Sequence, residues 1–227
     1  MKNQDLVYLE QEADNFFDRN EYDFDKLLDR KKNLIDHFSE YLGSQKIDTI
    51  LEIGCHIGDL LNYCVESFNS SRGYGIEPSI KAIEEGRKRF ARNCSLFHGL
   101  VGSDKTMENI PSCDLVVVND VFCWISRESI FRSIANIDER LNSGGHLIIR
   151  DFLPPKKIRN QNKHVSDQEV FCHKIVGSHA ELFKQTGNYQ VISSKIFTDS
   201  DLDLTKTKEY DLSENTWVDI LLKKTWA

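Results

Sequence analysis

Glu52 opens a glycine-bearing segment, Glu52-Ile53-Gly54-Cys55-His56-Ile57-Gly58-Asp59, and a second glutamate, Glu77, follows 25 positions later (77 − 52) in Gly75-Ile76-Glu77-Pro78-Ser79. Glycine in a turn lets the backbone approach a ligand closely, and a carboxylate at a strand end accepts both hydroxyls of a ribose. Together they point to a bound nucleoside. Farther along stand groups able to hold or move a proton: Asp120, Asp151, His164 and His173. Of these, the histidines titrate near neutral pH.

A nicotinamide dinucleotide requires three glycines so that its pyrophosphate can rest on a helix N-terminus. Here those positions read Gly54, His56 and Asp59. Two of the three fail, and Asp59 sets a negative charge where phosphates would lie. A nucleoside without phosphates removes the conflict. The segment then resembles the first motif of class I methyltransferases, Glu/Asp-x-Gly-x-Gly-x-Gly, matched at Glu52, Gly54 and Gly58, with His56 in place of the middle glycine.

The resemblance extends over roughly residues 48–152. Asn119-Asp120-Val121-Phe122-Cys123-Trp124 falls where such enzymes bring residues to the methyl group, and Leu141-Asn142-Ser143-Gly144-Gly145 looks like their Leu-x-x-Gly-Gly approach to the fifth strand. It implies S-adenosylmethionine as cofactor, held by Glu52, Gly54, Cys55, Gly58, Glu77 and Asn119. The acidic residue often found after the third strand is replaced by Leu100, so backbone groups, or Ser103 and Asp104, are left to hold adenine. A second resemblance, carried by Asn15-Phe16-Phe17-Asp18-Arg19-Asn20 and Asp151-Phe152-Leu153-Pro154-Pro155, is to bacterial methyltransferases of surface-carbohydrate and nonulosonic-acid gene clusters. It implies a small, sugar-derived acceptor and places Arg19 near the cofactor carboxylate. Phe16 and Phe17 equally suit helix packing.

Methyl transfer to a hydroxyl or amine needs an aligned nucleophile and a group to take its proton. Asp151, His164 and His173 are the candidates carried forward, beside Asp120 at the end of the fourth strand. Phe122 and Trp124 offer an apolar wall or ordinary core packing. An NAD(P)-dependent oxidoreductase and a non-catalytic binding protein on the same fold stay open as alternatives.

The elements that must position these residues alternate. Apolar residues at Leu27, Leu28, Leu34, Ile35, Phe38, Tyr41 and Leu42 have a helical period ahead of Gly43. Strands are predicted at 48–53, 73–76, 95–98, 114–118 and 145–149, and helices at 59–68, 79–90 and 126–141. A helix near 178–185 and strands at 189–197 and 216–223 follow. The pattern predicts an α/β, Rossmann-like, doubly wound and mostly parallel sheet of about seven strands with a C-terminal hairpin. Residues 1–45 read as an N-terminal helical lid. Residues 46–227 read as the cofactor-binding domain, with a covering insertion at about 153–178 lacking any periodic pattern.

Composition bounds the partners. With 227 residues, 40% of them hydrophobic, the chain suits one core. A net charge of −7 opposes general affinity for nucleic acid. The six cysteines, Cys55, Cys64, Cys94, Cys113, Cys123 and Cys172, lack metal-ligand spacing and read as reduced thiols, so no metal site is expected. A polar N-terminus and short apolar runs predict a cytoplasmic protein with no membrane span.

Overall fold

A computed structural model of the chain describes residues 3–20, 24–43, 45–165, 168–198, 204–206 and 212–226. Five strands run parallel: β1 (Thr49–Ile53), β2 (Arg72–Glu77), β3 (Cys94–His98), β4 (Cys113–Asn119) and β5 (Leu141–Phe152). A separate antiparallel ribbon of β6 (Ile158–Gln161) and β7 (Phe171–Lys174) follows, and a C-terminal hairpin of β8 (Tyr189–Thr198) and β9 (Thr216–Lys224) completes the main sheet. The order across that sheet is β3-β2-β1-β4-β5-β9-β8, with β9 antiparallel to both neighbours. The fold expected from the sequence is the fold observed.

Strand alternation divides the core in two. Leu51, Ile53, Val116, Val118, Leu147 and Ile149 face one side, while Ile50, Leu115, Val117 and Ile148 face the other. Covering both sides makes β4 a continuous apolar run, as a parallel strand between helical layers requires. Leu34, Ile35, Phe38 and Leu42 of the helix Phe24–Leu42 pack on Leu60, Leu61, Cys64 and Val65 of the helix Asp59–Ser67. Tyr41 is exposed, although it shares the apolar period, and the Leu27 side chain lies outside the described residues.

Element ends differ from the sequence reading where side chains outside the element decide. The predicted helix 126–141 is shortened to Ile130–Arg140: Leu141 pairs with Cys113 and already belongs to β5, and at the other end the Ser126 amide is taken by Asp5. The helix Ile80–Phe90 begins after Ser79, whose hydroxyl accepts from the Ala82 amide, and Ile80 is left exposed. All six cysteines are buried and unpaired.

Gly86, within that helix, sits where its Cα crosses the turn after β1. An added Cβ would lie 2.2 Å from the Ile57 carbonyl oxygen and 2.5 Å from Leu96 Cδ1. Alanine in a helix interior is ordinarily favoured over glycine by about 1 kcal/mol. Here contact with backbone reverses the sign, and Gly86→Ala is expected to cost roughly 1–3 kcal/mol. Urea unfolding of the two proteins checks this, and an alanine variant as stable as the parent would contradict it.

The segment 153–178 departs most from expectation. Instead of a patternless loop it builds β6 and β7, with Val165 and Val170 between them packed on Val7 of the N-terminal helical segment. That segment comprises Gln4–Val7, a π-helical turn Tyr8–Glu12, and Ala13–Asn20. Its polar side chains fasten it down. Gln4 donates to the Trp124 and Phe171 carbonyls at 2.5 and 2.9 Å and accepts the Phe171 amide at 2.8 Å. Asp5 accepts the Ser126 amide at 2.7 Å, and Asp14 accepts the Ser79 hydroxyl at 2.6 Å. Helix and ribbon thus lie across the carboxyl ends of the strands, beside the β1/β4 point where strand order reverses. Open α/β sheets bind ligands at such reversals.

Candidate active site

The turn after β1 is left-handed at Gly54 (φ 69°), His56 (φ 52°) and Gly58 (φ 80°). The Gly54 and Cys55 amides both donate to the Ile76 carbonyl, at 2.8 and 3.1 Å, which locks the turn to the end of β2. Glu77 completes the lock. Its Oε2 accepts the His56 amide and its Oε1 the Ser79 amide, each at 2.9 Å. Both oxygens keep a lone pair for a ligand. Burial raises this carboxyl to about 7 against the opposing pull of those two amides.

His56, the departure from the glycine pattern, has a use. Its ring lies 5.9 Å from Phe16 and 5.7 Å from Phe17, so it joins the turn to the N-terminal helical segment. Burial, with Lys31 adding to it, lowers the imidazole to about 4, and the ring is neutral at pH 7. Beneath the turn Lys31 pairs with Asp59 at 3.3 Å. Burial works against the Lys31 ammonium, but Asp59 and Glu52 outweigh it and hold the group above its usual value. Glu52 is wholly enclosed, and burial pushes its carboxyl well up.

A cleft of about 1250 Å³ opens above these groups. Of the residues expected to hold a cofactor, Gly54, Glu77, Asn119 and Arg19 line it. Glu52, Cys55 and Gly58 do not. The Cys55 side chain points away behind the turn, where its sulfur fills the space a Cβ on Gly75 would occupy, 2.5 Å away. The Asn119 side-chain oxygen is buried without a donor. At the far end Gly99, Leu100, Val101 and Gly102 line the cleft. Ser103 and Asp104 are engaged elsewhere, Ser103 capping a short helix through the Thr106 amide and Asp104 pairing with Arg132 at 2.5 Å.

Among the proton-moving candidates, the structure brings Asp120 and His164 to the cleft and keeps Asp151 and His173 away from its walls. Asp120 has a left-handed backbone (φ 57°) just past β4, its amide donates to the Arg150 carbonyl, and its Oδ1 accepts from the Cys123 thiol at 3.4 Å. Burial, then the nearby Asp151 charge, raises Asp120 to about 7. Asp151 is spoken for: its Oδ1 accepts the Phe152 amide at 2.7 Å, and its Oδ2 meets the His179 amide at 3.0 Å and ring Nδ1 at 2.5 Å. His173, on β7, borders a smaller pocket of about 360 Å³ and is lowered to about 4 by burial and by Arg127.

Sequence reading overlooked Tyr8, Glu12, Asn162, Arg150 and Asp219, all on the cleft wall. Arg150 and Asp219 face each other across β5 and β9 in a two-pronged ion pair at 2.7 Å. A signal existed for part of the set. Asp5, Tyr8, Glu12, Phe16 and Arg19 recur at helical spacing and line one stripe of the N-terminal segment.

A sheet ordered 3-2-1-4-5 and closed by an antiparallel strand, with a glycine turn after β1 locked to a carboxylate at the end of β2, is the arrangement of a class I S-adenosylmethionine-dependent methyltransferase. Residues 51–147 match the family model described as a methyltransferase domain. The chain is 32% identical over 176 residues to a tRNA N(3)-methylcytidine methyltransferase of Schizosaccharomyces pombe, an alignment spanning 71% of this chain and 68% of that protein. The fold is similar to that of the N-methyltransferase NodS from Bradyrhizobium japonicum, crystallised with S-adenosylhomocysteine (TM-score 0.61, 16% identity, 99% and 100% of the two chains). It is also similar to the 1,6-didemethyltoxoflavin-N1-methyltransferase of Burkholderia thailandensis (TM-score 0.70, 11% identity, 100% and 92%). The chain belongs to the S-adenosylmethionine-dependent methyltransferases, and its cofactor is S-adenosylmethionine. No group of metal-ligating side chains and no helix long and apolar enough to cross a membrane occurs among the described residues.

Proposed function

We propose that the protein methylates a hydroxyl or amine of a small molecule, sugar-derived compounds included, and that Asp120 receives the proton released. The observation that carries this reading is the roof of the cleft. The N-terminal helical segment is tied to the ribbon, to the turn after β4 and to the start of the helix after β2 by Gln4, Asp5 and Asp14, leaving a partly covered cleft beside Asp120.

The site residues fit the cofactor. Glu77 offers two oxygens to the ribose, Gly54 keeps the turn clear of the methionine portion, and Arg19 meets the carboxylate through the donors that its pair with Glu12 leaves over. When bound, S-adenosylmethionine supplies an activated methyl group on a positively charged sulfur. The chain then has to align the acceptor, exclude water and accept one proton. Asp120 performs the last task from the carboxyl end of β4, and the Cys123 thiol holds its other oxygen. His164 lines the same cleft and is the reserve candidate.

The tRNA-modifying relative supports a second reading, in which the acceptor is a nucleotide of RNA. A charge of −7 weighs against it, since phosphate contacts need clustered cations. Incubation with methyl-labelled S-adenosylmethionine and separate metabolite and tRNA fractions decides between the two. Label in the low-mass fraction is the expected result, and label confined to tRNA would overturn the proposal.

A further inference from the structure

We infer that the acceptor atom is a nitrogen, and that Glu12, Tyr8 and Trp124 form the part of the roof that recognises an amine; the inference rests on the small-molecule reading above. Glu12 is 2% exposed and lies on the cleft wall. Its Oε1 accepts from both Arg19 Nη2, at 2.7 Å, and Asn162 Nδ2, at 3.2 Å, whereas its Oε2 is shielded from water and has no donor. A buried carboxylate oxygen without a donor is costly and calls for a ligand to complete it.

Position sets this group between the cofactor's contacts and the ribbon, with Glu12 tied to Arg19 on one side. Arg19 shares the helix Ala13–Asn20 with Phe16 and Phe17, which sit on His56 and hence on the methionine side. Glu12 is fastened also to Asn162, which follows β6 in the ribbon, and Asn162 reaches the Tyr8 hydroxyl at 3.5 Å as well. The Tyr8 ring lies 6.1 Å from that of Trp124, in the turn that begins just after Asp120. Two carboxylates and two aromatic rings therefore border one region of the cleft.

Donor arithmetic selects nitrogen. The reacting oxygen of a hydroxyl acceptor has a single proton, and giving it to Asp120 leaves that atom nothing for Glu12. An amine entering as ammonium has three. One goes to Asp120 and frees the lone pair, and the others can satisfy Glu12. The carbon–nitrogen bond then forms as the sulfur–methyl bond breaks. The bonding pair stays on sulfur, giving S-adenosylhomocysteine, and the methylated nitrogen carries the positive charge the sulfur gives up. Aromatic faces and carboxylates favour that charge throughout.

Calorimetry on the full chain saturated with S-adenosylhomocysteine tests this, using benzylamine, benzyl alcohol and benzoate as matched probes. Benzylamine is expected to bind at least about tenfold more tightly than the other two. Glu12→Gln should weaken benzylamine by roughly 10–100-fold, and S-adenosylhomocysteine by less, because the amide oxygen of the glutamine can still accept from Arg19. Trp124→Leu, which leaves the Glu12 bonds in place, should weaken benzylamine likewise. Benzyl alcohol or benzoate binding as well as benzylamine would overturn the inference, as would loss of S-adenosylhomocysteine rather than of the amine in Glu12→Gln. Labelled methyl groups found only on hydroxyls of metabolites would sink it and leave the small-molecule reading standing. Label found only in tRNA would remove that reading itself.

Discussion

Asp120→Asn is expected to lower kcat by about 10²–10⁴-fold, the range for losing a positioned general base, while S-adenosylhomocysteine binds within about twofold of the parent. The asparagine is nearly isosteric and keeps an oxygen for the Cys123 thiol, so the turn after β4 should hold its shape. The pH profile gives the sign. A base acts only when ionised, and the Asp120 carboxyl is raised to about 7 by burial and by Asp151. In the parent, single-turnover rates should therefore climb as pH rises through about 7 and level off above it. The variant should lose that limb. Asp151→Asn provides the contrast, because Asp151 bonds the His179 ring and amide inside the core and is off the cleft wall. Its loss should lower the melting temperature and move the limb to lower pH without abolishing it, because burial is then the main cause still raising Asp120.

Glu77→Ala should weaken S-adenosylhomocysteine binding by about 1–3 kcal/mol, or roughly 5–150-fold, the cost of leaving buried polar partners unmatched. Two ribose hydroxyls and two backbone amides, those of His56 and Ser79, lose their acceptor together. The second effect loosens the turn itself, which places Glu77→Ala at the upper end of the range. Glu77→Gln keeps one acceptor oxygen and should fall between. Burial holds the carboxyl at about 7 before the cofactor enters, and ribose hydroxyls favour the ionised form. Affinity should therefore improve from pH 6 to pH 8 in the parent and not in Glu77→Gln. Isothermal titration across that range measures both, and an unchanged constant in Glu77→Ala would refute the ribose assignment.

Local rules carried the sequence reading where local chemistry decides the structure. The strand–turn–helix unit at Gly54 and Gly58, the carboxylate at the end of β2 and the continuous apolar β4 are each set by neighbours within a few positions. Elsewhere the deciding partner is distant in sequence. His56 looked like a blemish in a glycine motif because its ring partners, Phe16 and Phe17, lie about 40 residues earlier. The sequence favours Asp151 over Asp120, although each closes a strand of the same sheet. A left-handed backbone turns Asp120 toward the cleft, whereas His179 draws Asp151 into the core. Two four-residue strands rich in polar side chains gave β6 and β7 no periodic signature, so the ribbon that carries Asn162 was read as loop. With the ribbon hidden, so was the Asn162–Glu12 bond that closes the roof across 150 positions.

A crystal structure of the complex with S-adenosylhomocysteine tests the central claim most directly. Both ribose hydroxyls are expected on the Glu77 carboxylate, the methionine carboxylate at Arg19, and the sulfur facing Asp120 beneath Glu12 and Trp124. A cofactor bound with its ribose away from Glu77, or with its sulfur turned from Asp120, would contradict it.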